Sequence, residues 1–232
     1  MPPPRKSRSP SGQQPPNPAP RRFVSLLSGG LDSVVALAAA AREASPVLAL
    51  TFDYGQPSAR REIEAARKVA AHYSVRHEVV EMPWYARLLP EAFAGSGDGV
   101  PEPEVPDAES ARAVWVPGRN LVFVAVAAAW AEKLGASEVV AGFNAEEAAT
   151  FPDNSAEFVR AATAALGFSS YGRVRLAAPL AGLDKRGIVR LGRELGAPLR
   201  LAWSCYRGGA APCGRCESCR RRAAAEQADG AI

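Results

Sequence analysis

No Gly-x4-Gly-Lys-Ser/Thr segment occurs anywhere in the 232 residues, which excludes a Walker phosphate loop. Cysteine is missing from the first 204 positions, so the spread-out disulfide framework of a small secreted domain is excluded as well. Histidine appears only as His72 and His77, in contexts that read as surface or packing positions and not as catalytic ones. No apolar run reaches the length of a membrane span. The amino-terminal stretch has neither a signal-peptide core nor an amphipathic arrangement of its arginines, and the compartment these absences imply is the cytoplasm. Acidic residues are absent from the first 22 positions, which carry Arg5, Lys6, Arg8, Arg21 and Arg22.

That basic start makes the formal charge of +4 misleading. Residues 200–222 add six arginines against the single acid Glu217, and the remainder of the chain holds six more acids than bases. A uniformly basic nucleic-acid binder is therefore not expected. A hydrophobic content of 47% suits one sizeable core with appendages. Residues 1–21, rich in Pro, Ser and Gln, cannot form a core and are expected to be disordered. A plain solvated extension is the simplest reading of that tail, with a tag or a basic RNA-tethering arm as alternatives.

Where cysteine does occur it is concentrated, as Cys205-x7-Cys213-Gly-Arg-Cys216-x2-Cys219. Paired short spacings with Gly214 in the turn suit four thiolates closing as a tetrahedron on one Zn²⁺, with an iron–sulfur cluster as the rival occupant. A complete four-thiolate shell leaves no open coordination position, so the ion is expected to be structural. Arg207, Arg215, Arg220, Arg221 and Arg222 stand close in sequence and are expected to offset the thiolate charge.

The most informative stretch runs from Arg22 to Leu37. An apolar strand leads into Ser28-Gly29-Gly30-Leu31-Asp32-Ser33, and an alanine-rich helix follows at once. Two glycines allow a tight turn and close approach to an anion, and the helix start offers free N–H groups and the positive end of its dipole. Ser28 and Ser33 add hydroxyls, while Asp32 is placed to cap the helix or help hold a metal.

Phe23–Leu27 reads as the first strand and Ser33–Glu43 as its helix. Val47–Phe52 is a second strand ending in Asp53-Tyr54-Gly55-Gln56, and Ser58 is placed to cap a helix reaching about His72, with Glu62 and Glu64 in its early turns. His77–Glu81 makes a third strand. Residues 82–113, with Gly95, Gly97, Gly99, Pro101, Pro103 and Pro106 and no apolar period, read as a surface insertion that is either a lid or an oligomer contact. Leu121–Leu134 is an apolar helix buried on most sides and ended by Gly135. Glu138–Gly142 is a fourth strand, Ser155–Leu166 a helix stopped by Gly167, and Val174–Ala177 a fifth strand. Asp184 caps a helix over Lys185–Leu195. This alternation predicts an α/β domain over 22–199, with a Rossmann-like, mostly parallel five-stranded sheet covered by helices on both faces. A metal-binding segment (200–225) and a flexible end (226–232) follow. Ligands of such sheets bind at the carboxyl ends of the strands, where strand order reverses.

In order, Ser28–Ser33, Phe52-Asp53-Tyr54-Gly55-Gln56, Val116-Pro117-Gly118-Arg119-Asn120, Gly142-Phe143-Asn144-Ala145-Glu146 and Trp203-Ser204-Cys205-Tyr206 precede the cysteine-rich ending. Together they resemble the 7-cyano-7-deazaguanine synthase family of the PP-loop ATP pyrophosphatases, over roughly residues 22–225. The resemblance implies an adenine nucleotide α-hydrolase-like fold, a homodimer, and a ligase of queuosine biosynthesis using ATP, Mg²⁺ and structural Zn²⁺. Its substrates would be small molecules: a deazapurine carboxylate, 7-carboxy-7-deazaguanine, and ammonia. Adenylation would turn a carboxylate oxygen into part of a good leaving group, AMP. Ammonia would capture the acyl group as an amide, and a second adenylation would expel the amide oxygen to give the nitrile, preQ0.

By that resemblance the stretch Leu27-Ser28-Gly29-Gly30-Leu31-Asp32-Ser33-Val34-Val35-Ala36-Leu37 cradles ATP together with Asp53, and Cys205, Cys213, Cys216 and Cys219 hold zinc. Asp32, Ser33, Lys185 and Arg119 are the candidate catalytic residues. Lys185 is either a stabiliser of charge on the departing pyrophosphate or an exposed helix-start lysine. Arg119 either grips a phosphate or carboxylate as a planar fork or bridges the start of its helix. Tyr54, Gln56, Asn144, Glu147 and Asp153 are candidate substrate residues, with loop capping as the other reading of Asn144, Glu147 and Asp153.

Three places depart from the family's pattern. Pro57-Ser58 stands where Arg-His is usual, Asp153-Asn154-Ser155-Ala156-Glu157-Phe158 where Asp-Cys-Arg-Pro-Glu-Phe is typical, and Arg186-Gly187 where a small residue and a glutamate follow Lys185. These keep open a paralogue that adenylates a deazapurine carboxylate and stops at the amide, or passes the acyl group to an amine of a partner molecule, including a protein. A tRNA-modifying pyrophosphatase is less favoured, because every cysteine is claimed by the metal. A nucleotide-sensing binding module would bind ATP without turnover. No glutaminase domain or spare cysteine is apparent, so free ammonia or a separate donor is implied. Neither a membrane nor a nucleic acid is an expected partner.

Overall fold

The computed structural model describes residues 20–95, 97–102 and 108–228. The expected disordered tail lies outside these residues apart from positions 20 and 21, and so does the chain end from 229 onward. Five strands, β1 (Arg22–Leu26), β2 (Ser45–Asp53), β3 (His77–Glu81), β4 (Glu138–Val140) and β5 (Arg175–Ala177), make one sheet in the order β3-β2-β1-β4-β5. Every neighbouring pair is parallel. Parallel strands need crossovers. Here α1 (Leu31–Ala40) and α2 (Ala59–His72) serve the first half of the sheet, and α3 (Ala108–Ala113) precedes the long α4 (Arg119–Leu134) that leads into β4. Then come α5 (Ala145–Ala148), α6 (Ala156–Ser169) before β5, α7 (Lys185–Glu194) and α8 (Glu217–Ala228).

Both sheet faces are dry. Val24, Leu48, Leu50 and Val139 pack with Val124 and Ala127 of α4 and Leu166 of α6. Phe23, Ala49 and Val140, from the alternate positions, pack with Val34 and Leu37 of α1, Val69 of α2 and Ile188 of α7. Strands buried on both sides are therefore apolar nearly throughout, as the sequence shows.

Several sequence expectations are corrected. The described part of residues 82–113 is more than a surface appendage: Met82, Tyr85, Phe93 and Val100 are buried in the core on the α4 side, and the Tyr85 hydroxyl donates to the Pro117 carbonyl at 2.5 Å. Pro83–Leu88 and Glu91–Phe93 form 3-10 turns there. Gly167 does not stop its helix, which runs on to Ser169, because the Ser170 hydroxyl closes the end by donating to the Leu166 carbonyl. Residues 226–228 are not a flexible end but the last turn of α8, which sequence reading had missed.

Chain order reverses between β1 and β4, so the loops leaving these strands flank a crevice at the carboxyl edge of the sheet. The walls approach as closely as backbone allows. A Cβ on Gly29, whose φ is +80°, would lie 2.6 Å from the Glu62 carbonyl oxygen. One on Gly142 would lie 2.8 Å from the Asp32 carbonyl carbon. Glycine is required at both.

The approach to the crevice is pinned from the neighbouring strands. Leu27 N–H donates to the Leu50 carbonyl at 2.8 Å, and the Thr51 hydroxyl donates to the Leu27 carbonyl at 2.6 Å. His77 Nε2 lies 2.7 Å from the same hydroxyl, which gives that histidine a packing role. Thr51→Val keeps the shape but leaves the Leu27 carbonyl without its side-chain donor. It is expected to lower stability by about 1–3 kcal/mol, read as a lower urea midpoint at unchanged slope.

Candidate active site

Leu27 to Gly30 turns between β1 and α1 with its polar groups directed inward on the loop itself. Gly30 N–H donates to Ser28 Oγ at 3.2 Å, the Ser28 hydroxyl lies 3.2 Å from Ser33 Oγ, and Ser33 donates to the Gly30 carbonyl at 2.9 Å. Gly30 occupies the cap position of α1, and no side chain caps that helix. The first N–H groups of α1 are thus left for a ligand. Asp32, expected as a cap or metal ligand, lies in the first turn with Oδ2 2.5 Å from Lys185 Nζ; its Oδ1 is buried without a partner. Val34, Val35, Ala36 and Leu37 are core residues behind the loop.

Lys185 is not an exposed helix-start lysine; its side chain is 11% exposed. Besides Asp32, its ammonium donates to Glu147 Oε1 at 2.8 Å, and its backbone N–H donates to Glu146 Oε2 at 3.0 Å. Asp184 caps α7 as expected, accepting from Gly187 N–H at 2.8 Å. Burial opposes the charge on Lys185, yet the two carboxylates outweigh it and hold the amine protonated. Burial raises the Asp32 carboxyl to about 6, against the pull of Lys185 and with the charge of Glu147 adding to the rise. Burial also pushes Glu147 up, but Lys185, Arg221 and Arg119 together hold it below the usual carboxylate range.

A second group of residues faces the same cavity, whose volume is about 260 Å³. Tyr54, Gln56, Pro57, Ser58, Glu62, Arg119, Asp153, Asn154 and Tyr206 line it alongside Ser28, Asp32, Glu147 and Lys185. Arg119 donates to the Tyr54 hydroxyl at 3.2 Å, and its guanidinium lies 5.9 Å from that ring. Burial opposes the Arg119 charge, but Tyr54, Asp153 and Glu62 sustain it. Phe52 and Phe123 stack at 4.0 Å, and Phe143, Phe151 and Trp115 complete an apolar wall. Such a compartment accepts a flat aromatic ligand bearing an acidic group, while the loop compartment accepts an anion.

Two predicted residues are turned to the backbone instead of the cavity. Asp53 Oδ1 accepts from Gly55 N–H at 3.1 Å, and fully buried Asn144 caps α5 by accepting from Glu147 N–H at 2.9 Å. Short polar side chains at strand ends commonly close such local turns. Of the departures from the family pattern, Pro57, Ser58 and Asn154 line the cavity, whereas Gly187 does not. Sequence reading gave Glu62 only an early-turn position; the signal that marks it is the pair of hydrogen-bonding side chains Gln56 and Ser58 just ahead of it.

The four cysteine sulfurs lie within 4.8 Å of one another, a donor set and spacing that fit a single metal ion. Backbone N–H groups of Arg207 and Cys213 donate to Cys205 Sγ, each at 3.4 Å, and Cys216 N–H donates to Cys213 Sγ at 3.3 Å. Four of the arginines expected to offset the thiolate charge form ion pairs with carboxylates. Arg207 and Arg215 pair with Glu102, Arg221 with Glu146 and Glu217, and Arg222 with Glu226. The segment also reaches the loop directly: Trp203 N–H donates to the Gly29 carbonyl at 2.8 Å.

No helix among the described residues is long and apolar enough to cross a membrane. Residues 22–229 match the protein family described as queuosine biosynthesis protein QueC. A 7-cyano-7-deazaguanine synthase of Desulforudis audaxviator is 49% identical over 216 residues, covering 90% of this chain and 98% of its own. Another, of Methanosarcina mazei, is 42% identical over 214 residues, covering 88% and 93%. Among solved structures, a 4-thiouridine synthetase in complex with RNA and bound ATP matches with a TM-score of 0.51 at 21% identity, over 89% of this chain and 50% of that one, a likeness of fold. With these matches spanning the whole sheet and both the loop and the cysteine segment, the chain belongs to the queuosine biosynthesis protein QueC family.

Proposed function

We propose that the protein is a cytoplasmic ATP-dependent 7-cyano-7-deazaguanine synthase that converts 7-carboxy-7-deazaguanine and ammonia to the nitrile by way of an acyl adenylate and an amide. The observation that carries this reading is one continuous cavity in which an uncapped helix start and an aromatic compartment with Arg119 meet at the switch point of the sheet. The family's relatives supply the name of the reaction, and the cavity supplies its parts.

The free N–H groups of Leu31 to Ser33, at the uncapped start of α1, hold the triphosphate. Lys185, kept charged by its two carboxylates, faces the oxygens on which negative charge grows as pyrophosphate leaves. The deazapurine lies against the aromatic wall, with Arg119 directing its carboxylate toward the α-phosphorus. Asp153 lines the compartment of the ring, whereas Gln56, expected as a substrate residue, has its amide engaged by Tyr54 N–H, the Phe52 carbonyl and Glu62. Asp32 Oδ1, a buried oxygen lacking a partner, fits the Mg²⁺ that accompanies ATP, which when bound neutralises phosphate charge. The four thiolates fit Zn²⁺, which when bound cross-links the 205–213 loop to the start of α8 and leaves no position open for chemistry.

Pro57, Ser58 and Asn154 on the cavity wall also support a second outcome of the same activation, in which the acyl group stays an amide or passes to another amine. Incubation with ATP, Mg²⁺, ammonium and 7-carboxy-7-deazaguanine is expected to yield AMP, pyrophosphate and the nitrile. ADP in place of AMP overturns the reading, and amide as the end product selects the second outcome. Cys216→Ser is expected to lose one Zn²⁺ per chain by elemental analysis and to lower the melting temperature, since metal affinity is linked to folding. The homodimer is part of the same proposal and predicts twice the 24.4 kDa chain mass by light scattering.

A further inference from the structure

Ser58 stands at the position before α2 where a serine ordinarily caps a helix, yet it makes no capping bond. Its hydroxyl donates instead to Glu62 Oε1 at 2.7 Å. Gln56 donates from Nε2 to Glu62 Oε2 at 2.9 Å, and its orientation is fixed because Oε1 accepts from Tyr54 N–H at 3.0 Å. Each carboxylate oxygen of Glu62 is therefore held by one neutral donor. Among the described residues no lysine or arginine forms an ion pair with it; Arg119 acts on it electrostatically while donating to Tyr54. A half-buried carboxylate held by neutral donors, with Arg119 acting on it without a direct ion pair, keeps room for a small cation at its oxygens.

The position of this carboxylate matters as much as its neutral partners. Glu62 lines the cavity, and its backbone carbonyl rests against Gly29, so this turn of α2 sits directly on the phosphate loop. An acyl adenylate formed at the loop would have its carbonyl carbon in the same compartment. The reaction needs a small cation there, because ammonia in neutral water is mostly ammonium.

We infer that Glu62 is the ammonium receptor and the proton acceptor of the amide-forming step. The carboxylate binds the ammonium ion, takes one proton from it and passes that proton to water. The freed lone pair on nitrogen attacks the carbonyl carbon of the acyl adenylate. As the carbon–oxygen bond to the adenylate breaks, AMP leaves with the bonding electrons and Glu62 accepts a second proton from the nitrogen, leaving the neutral amide. Burial raises the Glu62 carboxyl against the lowering pull of Gln56, Ser58 and Arg119, which makes it a better proton acceptor than an ordinary glutamate.

The inference rests on the synthase reading, and the experiment separates the two. Pyrophosphate–ATP exchange dependent on 7-carboxy-7-deazaguanine reports adenylation alone. In Glu62→Gln this exchange is expected to stay within about threefold of wild type, while amide formation from ammonium falls by about 10²–10⁴-fold. Hydroxylamine is largely uncharged at neutral pH and needs no cation receptor, so its loss should be smaller by about tenfold or more. Absence of exchange in the wild type overturns the synthase reading. Exchange in the wild type with amide formation unaffected in the variant, or with equal losses for exchange, ammonium and hydroxylamine, overturns the role of Glu62. Should Glu62→Gln fail to fold, Glu62→Asp, which retains the charge but withdraws it, is expected to raise KM for ammonium with exchange intact; an unchanged KM overturns the inference.

Discussion

A part-buried cluster of two carboxylates around one buried ammonium, Asp32–Lys185–Glu147, holds the two halves of the sheet's crevice in register. Its members come from the first turn of α1, the start of α7 and the short α5, and are brought together only by the folded chain. Only Lys185 is buried outright, and separating it from both carboxylates would leave its ammonium without a counter-charge. The cluster is also short of positive charge by one, and the unpartnered Asp32 oxygen records where that shortage falls. A site built to receive phosphates with their metal ion is well served by such an imbalance. On the proposed reading the lysine would meet the phosphate oxygens, and the spare carboxylate oxygen the cation that comes with them.

The same network extends to the end of the chain. Glu146 and Glu147 divide Lys185 between them, the first accepting its backbone N–H and the second its ammonium. Glu146 also accepts from Arg221 at 3.1 Å, which ties α8 to the start of α7. Arg222, one residue on, donates to the carbonyls of Leu199 and Ala202. The arginines that composition alone would assign to a charged surface or to the thiolates are structural ties. Three of their carboxylate partners, Glu102, Glu146 and Glu226, come from the acid-rich remainder of the chain.

What could be read from the sequence was whatever is encoded locally. The order of strands and helices, the loop at Ser28–Ser33 and the spacing of the four cysteines each depend on residues adjacent in the chain, and the sheet follows from their alternation. Residues 82–113 were misread because Tyr85, Phe93 and Val100 enter the core from turns without helical or strand periodicity, so no pattern marks them as buried. Glu62 was overlooked because a serine before a glutamate-bearing helix suggests a backbone cap, whereas here the hydroxyl serves the side chain. The helix α8 was missed because its first turns, just after Cys216, hold Glu217, Cys219 and three consecutive arginines, a composition without an apolar face to detect. Asp53 and Asn144 look functional by type and place, and only the local hydrogen bonds show that their oxygens are committed to the backbone.

The cysteine segment contributes to the cavity without needing to touch a reacting atom. Tyr206 follows Cys205 directly, Ser218 precedes Cys219, and both side chains line the cavity. Burial, with the charges of Glu147 and Glu217 adding to it, pushes the Tyr206 phenol well above its ordinary range, so it stays a neutral hydrogen-bonding group. Trp203, two residues before the first cysteine, fixes Gly29 through its backbone and closes its own indole N–H on the Cys205 carbonyl at 2.9 Å. A metal drawn into the four thiolates would therefore stiffen one wall of the cavity and the back of the phosphate loop together. A closed coordination shell is suited to that task, because a site that must hold a reactive acyl group gains from a rigid wall and loses from a nearby ion with an open position that competes for the nucleophile.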